Sequence, residues 1–321
     1  TAGFRQRGTA ASASRTAPAD AHRRGHRQPL RLGVAEFERM FGASGLPAEC
    51  ETLIHSHNFA FRWATRAETD ELVAETLDRA ARRNFEPAGP GRLDRWETGW
   101  AENLTRLRAG DPAALLPAYI REDPVVRIGG RYAVAEDPRF EAHWYEVFQA
   151  WLFRQPAFAS APAVYEFGCG SGINLAALAT LYPEKRYVGL DWAKSSNEIV
   201  NELGRRNGWR MAGRHFDFFD CHTDQGLAWE AGTVALTVCA LEQTGSRWHP
   251  VIDRLTSSAI NIHIEPLVEW YSATPTGRAA AALHRARGYW TGFPHWLYMD
   301  AKRGYIEILR RHRTRFGSRY I

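Results

Sequence analysis

The sequence predicts an α/β protein, with a doubly wound, mainly parallel sheet preceded by a mostly helical N-terminal domain. From residue 163 onward, short apolar runs rich in Val, Ile, Tyr and Phe alternate with helical stretches of about 10–15 residues, the grammar of βαβ units. From about residue 34 to 155, apolar residues recur instead at helical spacing. The length of 321 residues and the 45% hydrophobic content allow one large domain or two modest ones with a real core.

Taken in order, residues 69–83 place Leu72, Val73, Thr76, Leu77 and Ala80 on one helix face, with an acidic start and a basic end that suit the helix dipole. Residues 94–107 align Trp96, Trp100, Leu104 and Leu107 in one stripe, with Asp94 as the expected cap. Two β-rich runs around Gly129 and Gly130 predict a hairpin over 124–135. Residues 140–153 form a strongly apolar helix that stops before Pro156. Then AVYEFG reads as a buried strand, INLAALATLYP as a helix ended by Pro183, and RYVGLD as a second strand. SSNEIVNELGRRNG is a helix with Ser195 and Glu198 spaced as a capping box and Gly208 as its stop. GTVALTVCALE, WHPVIDRLTSSA and INIHIEP continue as strand, helix and strand. Helices over 277–288 and about 294–303 follow, and 305–321 closes as an antiparallel pair.

Charge and composition narrow the function. The net charge is +5, but residues 1–31 hold seven arginines against Asp20, which leaves the body at −1. A basic tail on a near-neutral body is no phosphate-tracking groove, so nucleic acid is not the expected partner. The tail lacks apolar periodicity and is expected to be disordered. No apolar run reaches the ~18–20 residues of a membrane span. Cys50, Cys169, Cys221 and Cys239 form no metal-ligand spacing. A cytoplasmic protein without a metal is expected.

The most informative stretch is VYEFGCGSGINLAALATLYPEKRYVGLDW, residues 164–192. Glycines between a strand and a helix let backbone approach a ligand and aim free N–H groups at it. Asp191 ends the next strand, 19 residues after Gly172, where a carboxylate can accept both hydroxyls of a ribose. The dinucleotide pattern is GxGxxG, whereas Gly168, Gly170 and Gly172 form GxGxG. Glu166, two residues before the first glycine, would repel a pyrophosphate and attract a cationic amino-acid moiety.

EFGCGSG followed by GLD resembles motif I of the class I S-adenosylmethionine-dependent methyltransferases, of small-molecule type. The resemblance covers about residues 160–321 at the level of fold. It implies a seven-stranded Rossmann-like sheet and S-adenosyl-L-methionine as the cofactor. It also implies cofactor contacts from Glu166, Gly168, Gly170, Gly172 and Asp191. Trp192 would lie under the adenine, Asp217 of HFDFFD would accept the adenine amino group with Phe218 against the ring, and Asp220 is the rival acid. The absence of [DNS]PP[YFW] after the fourth strand, where this chain has ALEQ, speaks against a nucleic-acid substrate.

For the acceptor, two strand ends carry polar residues: Glu242 and Gln243 after the fourth, His263 and Glu265 at the fifth. A pair of carboxylates suits a cationic acceptor. Arginine-methylating enzymes of the class use two glutamates after strand 4, a pattern that Glu242 resembles in place and Glu265 in role only. The favoured function is therefore N-methylation of an amine or guanidino group, such as that of a basic amino acid, in specialised metabolism. His263 is the alternative, as general base for a hydroxyl, although a buried, satisfied core histidine accounts for it better. An O- or C-methyltransferase of a phenol or terpenoid is the other chemistry. Protein or nucleic-acid methylation and non-catalytic binding stand behind both. The aromatics of 94–107 and 288–298 serve as core or as a lid over the acceptor, and nothing singles out Arg106 or Arg285 as a carboxylate partner. The expected organisation is a tail over 1–31, a helical lid domain over 32–158 and a methyltransferase domain over 159–321. A small molecule is the expected partner, no membrane is, and a homodimer is left open.

Overall fold

The structure is a computed structural model that describes residues 29–289, except 84, 121, 222–226, 228–231, 256–259, 266–270 and 272. Residues 1–28 of the expected tail, most of the aromatic 288–298 segment and the expected closing strands over 305–321 lie outside the described residues.

The N-terminal part runs β1 (Leu30–Arg31), α1 (Val34–Phe41), α2 (Ala48–Ser56), β2 (Ala60–Trp63), α3 (Arg66–Arg82) and α4 (Leu93–Arg108), followed by β3 (Val125–Ile128), β4 (Arg131–Ala135), α5 (Phe140–Leu152) and α6 (Pro156–Ser160). It is less helical than expected. The hairpin β3–β4 is present, but β2 pairs with β4 and β1 with β2, which makes a four-stranded antiparallel sheet in the order β1-β2-β4-β3. The last two residues of the expected tail, Leu30 and Arg31, form β1. Helix α3 starts on a capping box: the Glu68 N–H donates to Thr65 Oγ1 at 3.3 Å and the Thr65 N–H to Glu68 Oε2 at 2.7 Å.

The second part alternates β5 (Ala163–Phe167), α7 (Ile173–Leu181), β6 (Arg186–Asp191), α8 (Lys194–Asn207), β7 (Met211–His215), β8 (Val234–Val238), α9 (His249–Leu255) and β9 (Ile260–Ile264), with α10 (Pro275–Ala286) after it. All five strands are parallel, in the order β7-β6-β5-β8-β9. The sheet thus has five strands among the described residues, against the seven expected. Strand order reverses between β5 and β8, and the crevice outside their carboxyl ends is where such sheets bind ligands.

Every residue of β5 is buried, because both faces of the sheet are covered. Tyr165, Phe167, Val188, Leu190 and Trp248 pack on one face. On the other, Val164, Leu175, Leu178 and Val200 share one cluster with Phe37, Phe41, Phe140 and Phe158 of the N-terminal part. The core is therefore continuous across the boundary expected at 158/159.

Two expected caps do not form. Asp94 lies in the first turn of α4, where the dipole favours it, and Arg92 is the N-cap residue. The Ser195–Glu198 capping box does not form either, since Ala193 caps α8. The Ser195 N–H and hydroxyl donate instead to the Glu97 carboxylate of α4 at 3.2 and 2.5 Å, and Glu198 pairs with Arg108 at 3.0 Å. These bonds tie α4 across α8 and so over the mouth of the crevice.

Candidate active site

A cavity of about 760 Å³, open mouth included, lies at the carboxyl ends of the parallel strands. Glu166 and Gly168 come to it from β5 and its turn, Asp191 and Trp192 from β6, Phe218 from beyond β7, and Cys239 from beyond β8. The N-terminal part contributes Trp96, Trp100 and Tyr119. Six of the eight residues expected at the cofactor therefore line it: Glu166, Gly168, Gly170, Asp191, Trp192 and Phe218.

The turn requires glycine at two close approaches. At Gly168 (φ +72°) a Cβ would come within 2.5 Å of the Ala240 Cβ, and at Gly170 (φ +52°) within 2.6 Å of the Trp100 ring. Gly172 (φ +70°) is the N-cap of α7 and serves the turn without lining the cavity.

Glu166 is 1% exposed. Asn174 Nδ2 donates to its Oε1 at 2.7 Å, and Asn174 Oδ1 in turn accepts from Tyr145 and Gln149 at 2.7 and 2.8 Å. Glu166 Oε2 is buried with no hydrogen-bond partner. Burial, reinforced by the Asp191 charge, pushes the Glu166 carboxyl up to about 8. Such an orphaned oxygen is costly unless a donor meets it. Asp191 is held from two sides, its Oδ2 accepting the Gly170 N–H at 3.0 Å and its Oδ1 the Ala193 N–H at 2.9 Å. Burial raises its carboxyl above the usual range.

Asp217 and Asp220 line no part of this cavity. Asp217 Oδ1 accepts the Phe219 N–H at 2.7 Å and so shapes the turn that presents Phe216, Phe218 and Phe219. The wall of the cavity at these positions is aromatic, with the Trp192 and Phe219 rings 5.4 Å apart.

The polar strand ends separate in role. Glu242 is buried in a short 3-10 turn, Leu241–Thr244, and lines a second cavity next to the first; the two share Trp96, Tyr119, Cys239 and Gln243. Its Oε1 accepts from Gln243 Nε2 at 2.8 Å, and burial together with the nearby Glu265 raises its carboxyl well above the usual range. Glu265 lines neither cavity. Its carboxylate accepts the N–H groups of Ala240, Leu241 and Glu242 at 3.1, 3.1 and 3.3 Å. The expected convergence of two glutamates on one acceptor is corrected accordingly, because Glu265 is engaged by the backbone that carries Glu242. His263 also lines neither cavity. Its Nδ1 meets Thr237 Oγ1 at 2.7 Å, and burial depresses it to about 3, so it is a neutral core side chain and no general base for the acceptor.

Sequence reasoning missed Asn174, Tyr119, Phe219 and the strained Cys239. Cys239 adopts φ +51°, a left-handed conformation that costs a non-glycine residue about 1–2 kcal/mol. It lies where β8 gives way to the turn clamped by Glu265. Among the described residues, no group of three His, Cys, Asp or Glu side chains is placed to hold a metal, and no helix is long and apolar enough to cross a membrane.

No protein-family model matches the chain, and no curated protein does. Solved structures resemble it in part. Coclaurine N-methyltransferase bound to N-methylheliamine and S-adenosylhomocysteine is 13% identical, over 60% of this chain and 57% of that one, with a TM-score of 0.34. Mitomycin 7-O-methyltransferase is 18% identical, over 68% of this chain and 64% of that one, with a TM-score of 0.32. A structure associated with conversion of a disulfide bond into a thioacetal group during echinomycin biosynthesis is 22% identical, over 29% and 38%, with a TM-score of 0.25. The chain spans less than two thirds of each of these proteins, and likeness at this level carries no functional weight.

Proposed function

We propose that the protein is an S-adenosylmethionine-dependent methyltransferase acting on a small molecule. One observation carries the reading. A buried, unpartnered carboxylate oxygen on Glu166 and the Asp191 carboxylate flank a glycine turn too tight for side chains, in a cavity at the sheet's reversal point. Those features suit a ligand with an ammonium group and a ribose. Glu166 Oε2 would accept from the amino group of the cofactor, Asp191 would accept from the ribose hydroxyls, and Trp192, Phe218 and Phe219 would enclose the base. When bound, S-adenosylmethionine supplies an electrophilic methyl group.

The remaining work falls to the chain. Trp96 and Tyr119 line the junction of the two cavities next to Glu242 and Gln243, and with Trp100 they would shield a bound acceptor from water. Glu242 would take the proton that the acceptor must lose. A carboxyl raised in pKa is matched to an amine, and less well to an aliphatic alcohol. A guanidinium, which holds its proton above pH 12, would require the second carboxylate that Glu265 does not provide. Nitrogen of an amine is therefore the favoured target, with a phenol as the alternative.

The test has two parts. Calorimetry should detect S-adenosylhomocysteine binding that D191N weakens by roughly 1–3 kcal/mol, the scale of charge-assisted hydrogen bonds. A metabolite screen with methyl-labelled donor should then yield a product, whose labelled atom separates amine from phenol. Absence of binding at millimolar ligand would end this reading.

A further inference from the structure

The second cavity holds more positive charge than the chain itself neutralises. Arg127, on β3, and Arg287, just after α10, both line it. Arg92 sits behind its wall and is 5% exposed. Its guanidinium lies 5.3 Å from the Trp96 ring and 5.8 Å from the Tyr289 ring, both rings lining the same space. Among the described residues none of the three makes an ion pair, and the Nε atoms of Arg92 and Arg127 are buried without a hydrogen-bond partner.

Their other contacts are weak substitutes. Arg127 lies over Tyr271 at 5.6 Å, and Arg287 over Phe85 and Tyr289 at 5.8 Å. A ring face is a weaker partner for a guanidinium than an oxyanion that meets its fork with two hydrogen bonds. The only carboxylate lining the cavity among the described residues is Glu242. It is linked to Arg92 through Gln243, whose Oε1 accepts from Arg92 and whose Nε2 donates to Glu242. That relay accounts for Arg92, and the charge of Arg287 also acts on Glu242, so a single carboxylate serves two of the three guanidiniums and none among the described residues serves Arg127.

We infer that the acceptor carries an anionic group, a carboxylate or a phosphate, seated against Arg127 and Arg287, with its nucleophilic atom turned toward Glu242 and the neighbouring cavity. Guanidinium forks match both oxyanions, and the Tyr132, Tyr271 and Tyr289 rings offer the flat walls of a cyclic or aromatic body. This rests on the methyltransferase reading for the meaning of acceptor. The oxyanion site itself does not depend on it.

The experiment titrates benzoate, phenyl phosphate, benzylamine and benzyl alcohol by calorimetry into the full-length protein, with and without S-adenosylhomocysteine. R127Q, R287Q and the charge-keeping R127K and R287K are titrated alongside, and each variant's S-adenosylhomocysteine affinity serves as its folding control. Benzoate or phenyl phosphate should bind at least about tenfold more tightly than the neutral and cationic probes, with a loss of about tenfold or more in either Gln variant and partial recovery in the Lys variants. The stronger of the two anions identifies the group. Preference for benzylamine, equal binding of benzyl alcohol, or Gln variants that bind like wild type would overturn the inference. If the anions bind through the arginines while S-adenosylhomocysteine does not bind, the oxyanion site stands and the methyltransferase reading falls. The reverse result removes the oxyanion site and spares the enzyme.

Discussion

Glu265 holds Glu242 by its backbone: Oε2 of the first accepts the N–H of the second at 3.3 Å, while Oε1 takes the two preceding N–H groups, of Leu241 and Ala240. One buried carboxylate thus organises the turn that brings the other to the cavity. The three bonds oppose the burial that raises Glu265 to about 7. They also hold the chain just past Cys239, whose left-handed backbone needs support from its surroundings.

Removing that clamp should cost stability. E265A leaves three buried N–H groups without their acceptor and should lower the unfolding free energy by about 2–4 kcal/mol, measured by urea denaturation. E265Q keeps one acceptor oxygen and should lose less. An E265A protein as stable as wild type would mean that the turn is held by something else.

Glu242 should behave differently. E242Q keeps its size and its backbone anchor, so stability and S-adenosylhomocysteine affinity should be unchanged, while turnover on the true acceptor falls about 100-fold or more. Turnover should also lose its dependence on pH over the range where wild type gains activity with rising pH. Full activity in E242Q would remove it from the chemistry.

Glu166 makes donor binding sensitive to pH. Its carboxyl is near 8 in the free protein and holds a proton below that. Binding an ammonium group beside Oε2 favours the ionised form, so affinity for S-adenosylhomocysteine should rise with pH up to about 8 and level off above it. The same shift bears on stability with opposite sense. The folded protein keeps a proton that the unfolded chain releases near 4.5, so stability contributed by this group falls as pH rises from about 4.5 to 8. E166Q should flatten both curves, which calorimetry and thermal melts at several pH values would reveal.

G170A should place a methyl group where the Trp100 ring now lies, at a φ that alanine rarely adopts. Loss of about 1–3 kcal/mol of stability and weakened S-adenosylhomocysteine binding are expected together. W100A would make room for the methyl group, and the double variant should recover part of the loss. A G170A protein that melts and binds like wild type would show that the turn tolerates a side chain.

The alternation of parallel strands and helices was legible because short apolar runs between helical stretches mark buried strands, and the glycine turn with Asp191 marked the crevice. The antiparallel sheet was not. Strands β1 and β2 have two and four residues, and β2 pairs with β4 some seventy positions away, a relation that no local pattern encodes. The roles of Glu242 and Glu265 were equally hidden. Both are acids at strand ends, and what separates them is that one carboxylate reaches the main chain of the other's turn. The turn-shaping bond of Asp217 was hidden for a similar reason, since its residue type fits an adenine contact and an Asx turn alike. The capping box at Ser195 failed because Glu97, from a helix about a hundred residues earlier, outcompeted the local partner.

The hydrophobic cluster that runs from Phe37 and Phe158 to Leu175 and Leu178 limits how this protein can be re-engineered. The arginine-bearing strand β3 and the tryptophans of α4 are no detachable cartridge. Exchanging residues 32–158 for another protein's segment would strip Val164, Leu178 and Val200 of their native packing partners, so a chimera should lose stability together with any change in selectivity. Altered selectivity has to be sought one side chain at a time, at Arg127, Tyr271 and Arg287, with the shared interior left as it is.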